Sequence, residues 1–346
     1  MIYGANGSIG ELLAREAVYH GMSPILSGRN TKEVSKLADS LGLEARQFYI
    51  HDHVDSIVLL NDIDIVLNCA DLSSQTTIIF IESAMRSLTH YLDISGKYDV
   101  FEYAFASHEK ASQVGVAICP GVGFSNLPTD CLAAMLKSEM PDATQLNLGF
   151  DSPSSLPPRL LARVFEGASL GGTIRQGEQI VQVPNAHKVR MIDFGEGVKQ
   201  GVSITWGDIS SAYYTSGIPN IEFFLAITNY GISAAKLSNF VLPLVRVKNV
   251  QRSMNKLIRF AKRKAFFCQH KNTSVRIWGE ACNKIGSIES VSVEIENVTK
   301  FTVESALSAV RHLLEKQSIN GFYTPSRLLG SGVINRLQHS SEVVFQ

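Results

Sequence analysis

The segment Gly4-Ala5-Asn6-Gly7-Ser8-Ile9-Gly10 constrains this chain more than any other part of its sequence. It leads directly into a helix-period stretch in which Ile9, Leu12, Leu13 and Ala17 share one face, and Gly21 ends that run. Glycines in such a loop let the backbone turn tightly and approach a pyrophosphate. The helix start then supplies N–H groups and partial positive charge. A bare Gly-x-x-Gly-x-x-Gly string says little, but at the first strand–helix turn of a βαβ series it predicts a dinucleotide site. Only Met1, Ile2 and Tyr3 precede Gly4, about half a usual strand. Either the first strand is short or the natural start lies upstream. Met1 running straight into a glycine turn predicts no signal peptide.

The βαβ series is legible through the first 140 residues. Short β-branched runs at Pro24–Ser27, Ala45–Ile50, Ile63–Ala70, His90–Ile94 and Val116–Cys119 alternate with helical stretches at Thr31–Leu41, Thr76–Leu88 and Val100–Val114. Strands alternating with helices of this length predict a Rossmann-type, doubly wound parallel sheet with right-handed crossovers. Beyond the Ser/Pro-rich stretch Asp151–Pro158 the pattern changes. After a helix at Pro158–Leu170, strands at Gln179–Val183, Lys188–Phe194, Gly201–Trp206, Val275–Ala281 and Ser290–Glu296 are expected in sequence without helices between them. That predicts a second, α+β domain with a mainly antiparallel sheet. An amphipathic helix at Thr302–Leu314 and a last one opened by Thr324-Pro325 complete the chain. The expected division is a first domain of residues 1–125, to which 322–346 returns, and a second of 126–321 for substrate binding and dimer contact.

Composition excludes several classes. The 346 residues carry 32 Lys or Arg and 32 Asp or Glu, so whole-chain charge offers nothing to nucleic acid. The five cysteines are odd in number, lack Cys-x-x-Cys spacing and have no accompanying histidine cluster. No metal site or disulfide framework is expected, and reduced thiols fit a cytoplasmic protein. The apolar stretch Phe223–Val247 is broken by Asn229, Lys236, Asn239 and Pro243, short of the ~18 apolar residues of a spanning helix.

The remaining candidate residues fall at carboxyl ends of strands, where open α/β sheets hold ligands. The second strand ends Leu26-Ser27-Gly28-Arg29-Asn30, with no acidic residue from Ser23 to Lys32. An acidic residue at that tip binds the ribose 2′-OH of NAD, whereas an arginine accommodates a 2′-phosphate. Arg29 therefore points to NADP(H). The candidate cofactor residues are Gly4, Asn6, Gly7, Ser8, Ile9, Gly10, Arg29, Asn30, Asp52, Asn68, Cys69, Ala70, Ser95, Gly96, Gly121, Gly123 and Phe124. Asp93 and Asp130 are acid–base candidates, although Asp130 in a first helical turn also complements the helix dipole. Tyr213 and Tyr214, in what reads as a loop after Trp206-Gly207-Asp208, can donate a proton to a reduced centre or pack as an interface.

GANGSIG at Gly4, LSGRN around Arg29, HYLDISG at His90–Gly96 and PGVGFSNLPTDCLAA at Pro120–Ala134 resemble the saccharopine dehydrogenase-like oxidoreductases, a family that includes trans-acting enoyl reductases. TWGDISSAYYTSGIPNIE at Thr205–Glu222 and FYTPSRLLG at Phe322–Gly330 are similar to its bacterial members, so the resemblance spans nearly the whole chain. It implies an NADP-binding Rossmann domain plus an α+β domain, with hydride transfer to C=N or C=C in a substrate held between them. That substrate is a small molecule or an acyl chain. Two departures bear on substrate identity. Ser125 follows Gly123-Phe124 where many relatives have Asp, and Leu156-Pro157-Pro158-Arg159 replaces a small-residue motif.

One feature stands outside this scheme. From Phe223 to Gly279 there are 11 Lys or Arg and no Asp or Glu. Val250, Met254, Leu257, Ile258, Ala261 and Ala265 form a stripe from which most of the charges diverge. The sequence predicts a basic amphipathic helix within 246–276, suited to an anionic membrane or an acidic acyl carrier, or else a solvated face. No nucleic-acid motif accompanies it.

Overall fold

In a computed structural model, described for residues 1–47, 50, 57, 59–152, 158–195, 197–245, 274–316 and 318–345, the chain forms two compact units. One comprises Met1–Leu127 with Thr299–Leu337, the other Pro128–Val298 with Gln338–Gln346.

The first unit alternates strands and helices. In chain order they are β1 (Ile2–Tyr3), α1 (Ser8–Tyr19), β2 (Leu26–Gly28), α2 (Thr31–Leu41), β3 (Ala45–Gln47), β4 (Ile65–Asn68), α3 (Ser74–Arg86), β5 (His90–Asp93), α4 (Tyr98–Ala106), α5 (His108–Gln113) and β6 (Ala117–Cys119). The second unit contributes α6 (Leu127–Glu139, entering from the end of the first), β7 (Gln145–Asp151), α7 (Pro158–Leu170), β8 (Gly172–Gln176), β9 (Gln179–Val183), β10 (Val189–Asp193), β11 (Val198–Ser203), α8 (Asp208–Ser216), β12 (Asn220–Ala226), α9 (Asn229–Val245), β13 (Val275–Cys282) and β14 (Ile288–Ile295). Then α10 (Val298–Glu315), β15 (Gly321–Phe322) and α11 (Pro325–Leu329) return to the first unit, and β16 (Val344–Phe345) belongs to the second.

The first sheet runs β15-β6-β5-β4-β1-β2-β3, every pairing parallel. The chain moves outward from β1 in both directions, so the carboxyl ends of β1 and β4 form the crevice where such sheets take ligands. Ile65–Asn68 is buried throughout, as a strand covered on both faces requires. On one side Tyr3, Phe80 and Tyr91 pack edge to face, with centroids 5.2 and 5.5 Å apart. Each such buried ring contributes about 1.5–3 kcal/mol through removal from water. The expected helix Val100–Val114 is two helices, because Ser107 turns its hydroxyl onto the Tyr103 carbonyl at 2.9 Å and interrupts the run.

The second sheet has the core order β10-β11-β12-β7-β13-β14-β16. It is mainly antiparallel, but β12 runs parallel to β7, with Ile221 opposite Leu146. Alternation along β7 places Leu146, Leu148 and Phe150 on one face and Asn147, Gly149 and Asp151 on the other. The expected second-domain boundaries shift at both ends. Residues 299–321 belong to the first unit because Phe301 and Thr302 of α10 pack against Phe124 and Gly123. Residues 338–346 belong to the second because β16 pairs with β14. The basic stretch 246–273 lies outside the described residues.

Candidate functional site

The glycine loop is held by the end of β2. The Ser27 carbonyl accepts from the N–H groups of Gly4 (2.8 Å) and Ala5 (3.0 Å), and the loop closes with Gly7 N–H on the Gly4 carbonyl at 2.9 Å. Gly4 has φ +81°, and a Cβ there would lie 2.8 Å from the Ala70 nitrogen. A Cβ on Gly10 would come within 2.2 Å of the Gly4 carbonyl oxygen, so α1 is pressed directly onto the loop. Gly7 differs: its backbone is extended (φ −80°, ψ 159°) and a Cβ would meet only the Gly4 oxygen, at 3.1 Å. It is the N-cap of α1 and offers no side chain to the first-turn N–H groups. Ser8 follows it, and Ile9 is buried, so at Ile9 the backbone alone is available.

At the tip of β2, Arg29 is exposed. Asn30 caps α2, accepting from the Glu33 N–H at 3.4 Å. In a capping box Glu33 would reach back to the Asn30 N–H. Its carboxylate instead accepts from Asn6 Nδ2 of the glycine loop at 2.8 Å. Sequence reasoning missed Glu33 as a site residue, because its spacing from Asn30 reads as capping alone. Asp52 lies outside the described residues.

A buried polar chain joins the ends of β4, β5 and β6. Asn68 Oδ1 accepts from the Ala70 N–H at 3.0 Å, and its Nδ2 donates to the Tyr91 hydroxyl at 3.2 Å. That hydroxyl donates to Asp93 Oδ2 at 3.1 Å. Burial, with the Asp93 charge beside it, holds the Tyr91 hydroxyl well above the ordinary phenol range, so it stays a donor. Asp93 Oδ1 accepts from the N–H groups of Ser95 (2.9 Å) and Gly121 (3.1 Å) and from the Ser95 hydroxyl (3.3 Å). Cys69 is tied by its N–H to the Tyr3 carbonyl at 2.8 Å. Gly96, Gly121 and Gly123 are glycines for reasons internal to the fold. A Cβ would lie 1.3 Å from Asn126 Oδ1 at Gly96, 2.8 Å from the Phe101 ring at Gly121, and 2.9 Å from the Thr302 methyl at Gly123. The Phe124 N–H donates to Thr302 Oγ1 at 3.3 Å.

Tyr213 and Tyr214 belong to the second unit, in helix α8 and not in a loop. The helix forms because Ile209, Ala212 and Ser216 recur on a buried face and Gly217 ends it in the left-handed conformation. The buried Arg175 guanidinium lies 4.1 Å from the Tyr213 ring centroid and 5.7 Å from that of Tyr214, and donates to the Ile209 carbonyl at 2.6 Å. The Tyr213 hydroxyl reaches Glu178 Oε2 at 3.3 Å. The first turn of α6 bonds to both ends of α8: Thr129 donates to Asp208 in its first turn, and Thr215 in its last turn donates to Asp130 at 2.6 Å. Asp208 is fully buried. Burial, and to a lesser degree the Asp130 charge, raises its carboxyl well above the usual range. No local pattern marks Asp208, because a single carboxylate in a sequence does not reveal its burial. Among the described residues no group of three or more His, Cys, Asp or Glu is placed to hold a metal, and Cys69, Cys119, Cys131 and Cys282 are in no disulfide.

No protein-family model matches the chain, and no curated protein does. Solved structures do. A saccharopine dehydrogenase (L-Glu forming) from Saccharomyces cerevisiae aligns over 100% of this chain and 99% of its own, at 10% identity and TM-score 0.66. A homospermidine synthase from Legionella pneumophila, solved in complex with NAD, aligns over 100% and 90%, at 12% identity and TM-score 0.64. The chain has the saccharopine dehydrogenase-like fold over its whole length.

Proposed function

We propose that the chain is a nicotinamide-dependent oxidoreductase that uses NADP(H) and reduces a C=N or C=C bond in a small or lipid-linked substrate. The observation that carries this reading is the open Gly7 cap of α1 at the crevice between β1 and β4, with exposed Arg29 at the neighbouring strand tip. The residues present fit a dinucleotide. The uncapped first turn of α1 suits a pyrophosphate, Gly7 leaves room for close approach, and a guanidinium suits a 2′-phosphate. When bound, the cofactor supplies the hydride.

The chain's own residues orient and protonate. Ala70, Ser95 and Gly121 lie on the loops that Asn68 and Asp93 fix, beside the path of the nicotinamide half. A positioned acid completes a reduction, and the candidates are Tyr213, Tyr214 and water; Asp93, the fourth expected acid, is a buried acceptor for Tyr91, Ser95 and Gly121 and serves to position their loops. The two structural relatives, a saccharopine dehydrogenase and a homospermidine synthase solved with NAD, support a nicotinamide-dependent oxidoreductase. The test is NADPH consumption by the full chain against imines, pairs of 2-oxo acid and amine, and enoyl thioesters. Turnover of one class identifies the reaction. Tight NADPH binding without turnover of any of them favours a non-catalytic NADP-binding protein.

A further inference from the structure

Glu33 stands where a capping box has its closing residue, three positions after the Asn30 N-cap of α2. A closing Glu would turn back onto the Asn30 N–H. Here its Oε2 accepts from Asn6 Nδ2 at 2.8 Å, so Asn6 reaches α2 over the tip of β2. A Cβ on Gly28 would come within 2.9 Å of Asn6 Oδ1 and 3.2 Å of the Val34 side chain. Gly28 is bare, and the Asn6 amide therefore lies across the strand one residue before Arg29. The glycine loop, the strand tip and the first turn of α2 meet at this one amide. Gly28 is buried, but Asn6 is half-buried and Arg29 and Glu33 are exposed, so a ligand can reach all three polar groups.

In a dinucleotide fold the tip of the second strand meets the adenosine ribose, whose 2′ substituent is a hydroxyl in NAD and a phosphate in NADP. The two make opposite demands. A hydroxyl has a proton to donate and suits a carboxylate. A phosphate only accepts: it suits a guanidinium or an amide N–H and is repelled by a carboxylate. The strand tip itself carries no acidic residue from Ser23 to Lys32. The first turn of α2 nevertheless brings a carboxylate there, and the Asn6 amide holds it. A group that attracts one substituent and repels the other is how a site tells two similar ligands apart.

On the reading of this crevice as a nicotinamide dinucleotide site, we propose that Asn6 and Glu33 discriminate the ribose 2′ substituent. Facing a 2′-hydroxyl, Glu33 keeps Asn6 and accepts a hydrogen bond from the hydroxyl. Facing a 2′-phosphate, the Asn6 amide leaves Glu33 and donates to the phosphate beside Arg29. The chain then takes both dinucleotides, and Arg29 sets the preference for NADPH. The experiment is calorimetric titration of the full chain, without substrate, with NADPH, NADH, adenosine 2′,5′-bisphosphate and AMP. Asn6→Ala should weaken NADPH and the bisphosphate about tenfold, the scale of a bond to a charged acceptor less the one given up on Glu33. NADH and AMP should weaken less than twofold. Glu33→Gln, which keeps an acceptor for Asn6 without the charge, should tighten NADPH and weaken NADH, each several-fold. Equal losses for NADPH and NADH in Asn6→Ala overturn the proposal, because the amide then only shapes the glycine loop. Unchanged affinities in Glu33→Gln overturn it as well. A wild type that binds neither dinucleotide overturns the nicotinamide reading itself. One that binds them, with neither variant shifting their ratio, leaves that reading standing and removes only the discriminator.

Discussion

Tyr91→Phe removes one oxygen from the centre of the buried chain that joins β4 to the loops after β5 and β6. The ring stays, and with it the edge-to-face contact on Phe80 at 5.5 Å. What is lost is the acceptor for Asn68 Nδ2 at 3.2 Å and the donor to Asp93 Oδ2 at 3.1 Å. Asn68, Tyr91 and Asp93 are all at most 1% exposed, so water cannot replace the missing atom. Each buried partner deprived of a bond costs about 1–3 kcal/mol, more for a charged one, which sums to roughly 2–6 kcal/mol. With a urea m-value of about 3 kcal/mol/M the unfolding midpoint should fall by roughly 1 M. Tyr103→Phe is the control. Its hydroxyl donates to Glu82 at 2.6 Å but is only half-buried, and its loss should cost about 1 kcal/mol or less. Amide exchange at Ser95 and Gly121 should quicken in Tyr91→Phe alone, since Asp93 holds both N–H groups. A midpoint shift no larger than that of Tyr103→Phe would refute the reasoning.

Glu33→Gln removes a carboxylate from Asn6 and from the neighbourhood of Arg29. The NADPH-to-NADH affinity ratio should rise several-fold in fluorescence titration, because a 2′-phosphate no longer meets a like charge. Asp208→Asn keeps an acceptor for Thr129 without the charge. Folding raises the Asp208 carboxyl above its unfolded value, so its ionisation works against the fold increasingly as pH rises from about 4. The variant should therefore be more stable than the wild type at pH 7, and the difference should shrink towards pH 4 in thermal melts. His90 Nδ1 accepts from the Ala117 N–H at 2.9 Å, and burial lowers its pKa against the opposing pull of Asp64. Its contribution is present above the unfolded value of about 6.5 and is lost as pH falls through the folded one. His90→Asn, which keeps an acceptor, should flatten that loss in melts between pH 7 and pH 5.

The glycine loop could be read from the sequence because its demands are local. Gly4 needs a positive φ and Gly10 a close approach, and only glycine meets either without cost. The parallel sheet followed from alternating periods for the same reason. Strand β7 alternates cleanly, yet its place in the sheet is not legible locally. Its pairing with β12 joins residues 75 positions apart, Leu146 with Ile221, and no local pattern records such a contact. Helix α8 reads as a loop in the sequence because Gly207, three serines and two tyrosines are weak helix formers, and the packing of Ile209 and Ala212 decides the matter. Asp93 was visible as a carboxylate at a strand end. Its bonds to Ser95 and Gly121 depend on loops that only the folded chain brings together.

The central claim is that Arg29 reads the 2′-phosphate of a dinucleotide lying on the Gly7 cap of α1. The most direct measurement is fluorescence titration of NADPH and of NADH into the wild type and Arg29→Asp. The account predicts wild-type preference for NADPH, with a loss of about 2–3 kcal/mol in NADPH binding in the variant from the missing charge-assisted bond and the new repulsion. NADH binding should change far less. Equal loss for both cofactors, or a wild type that binds neither, would contradict it.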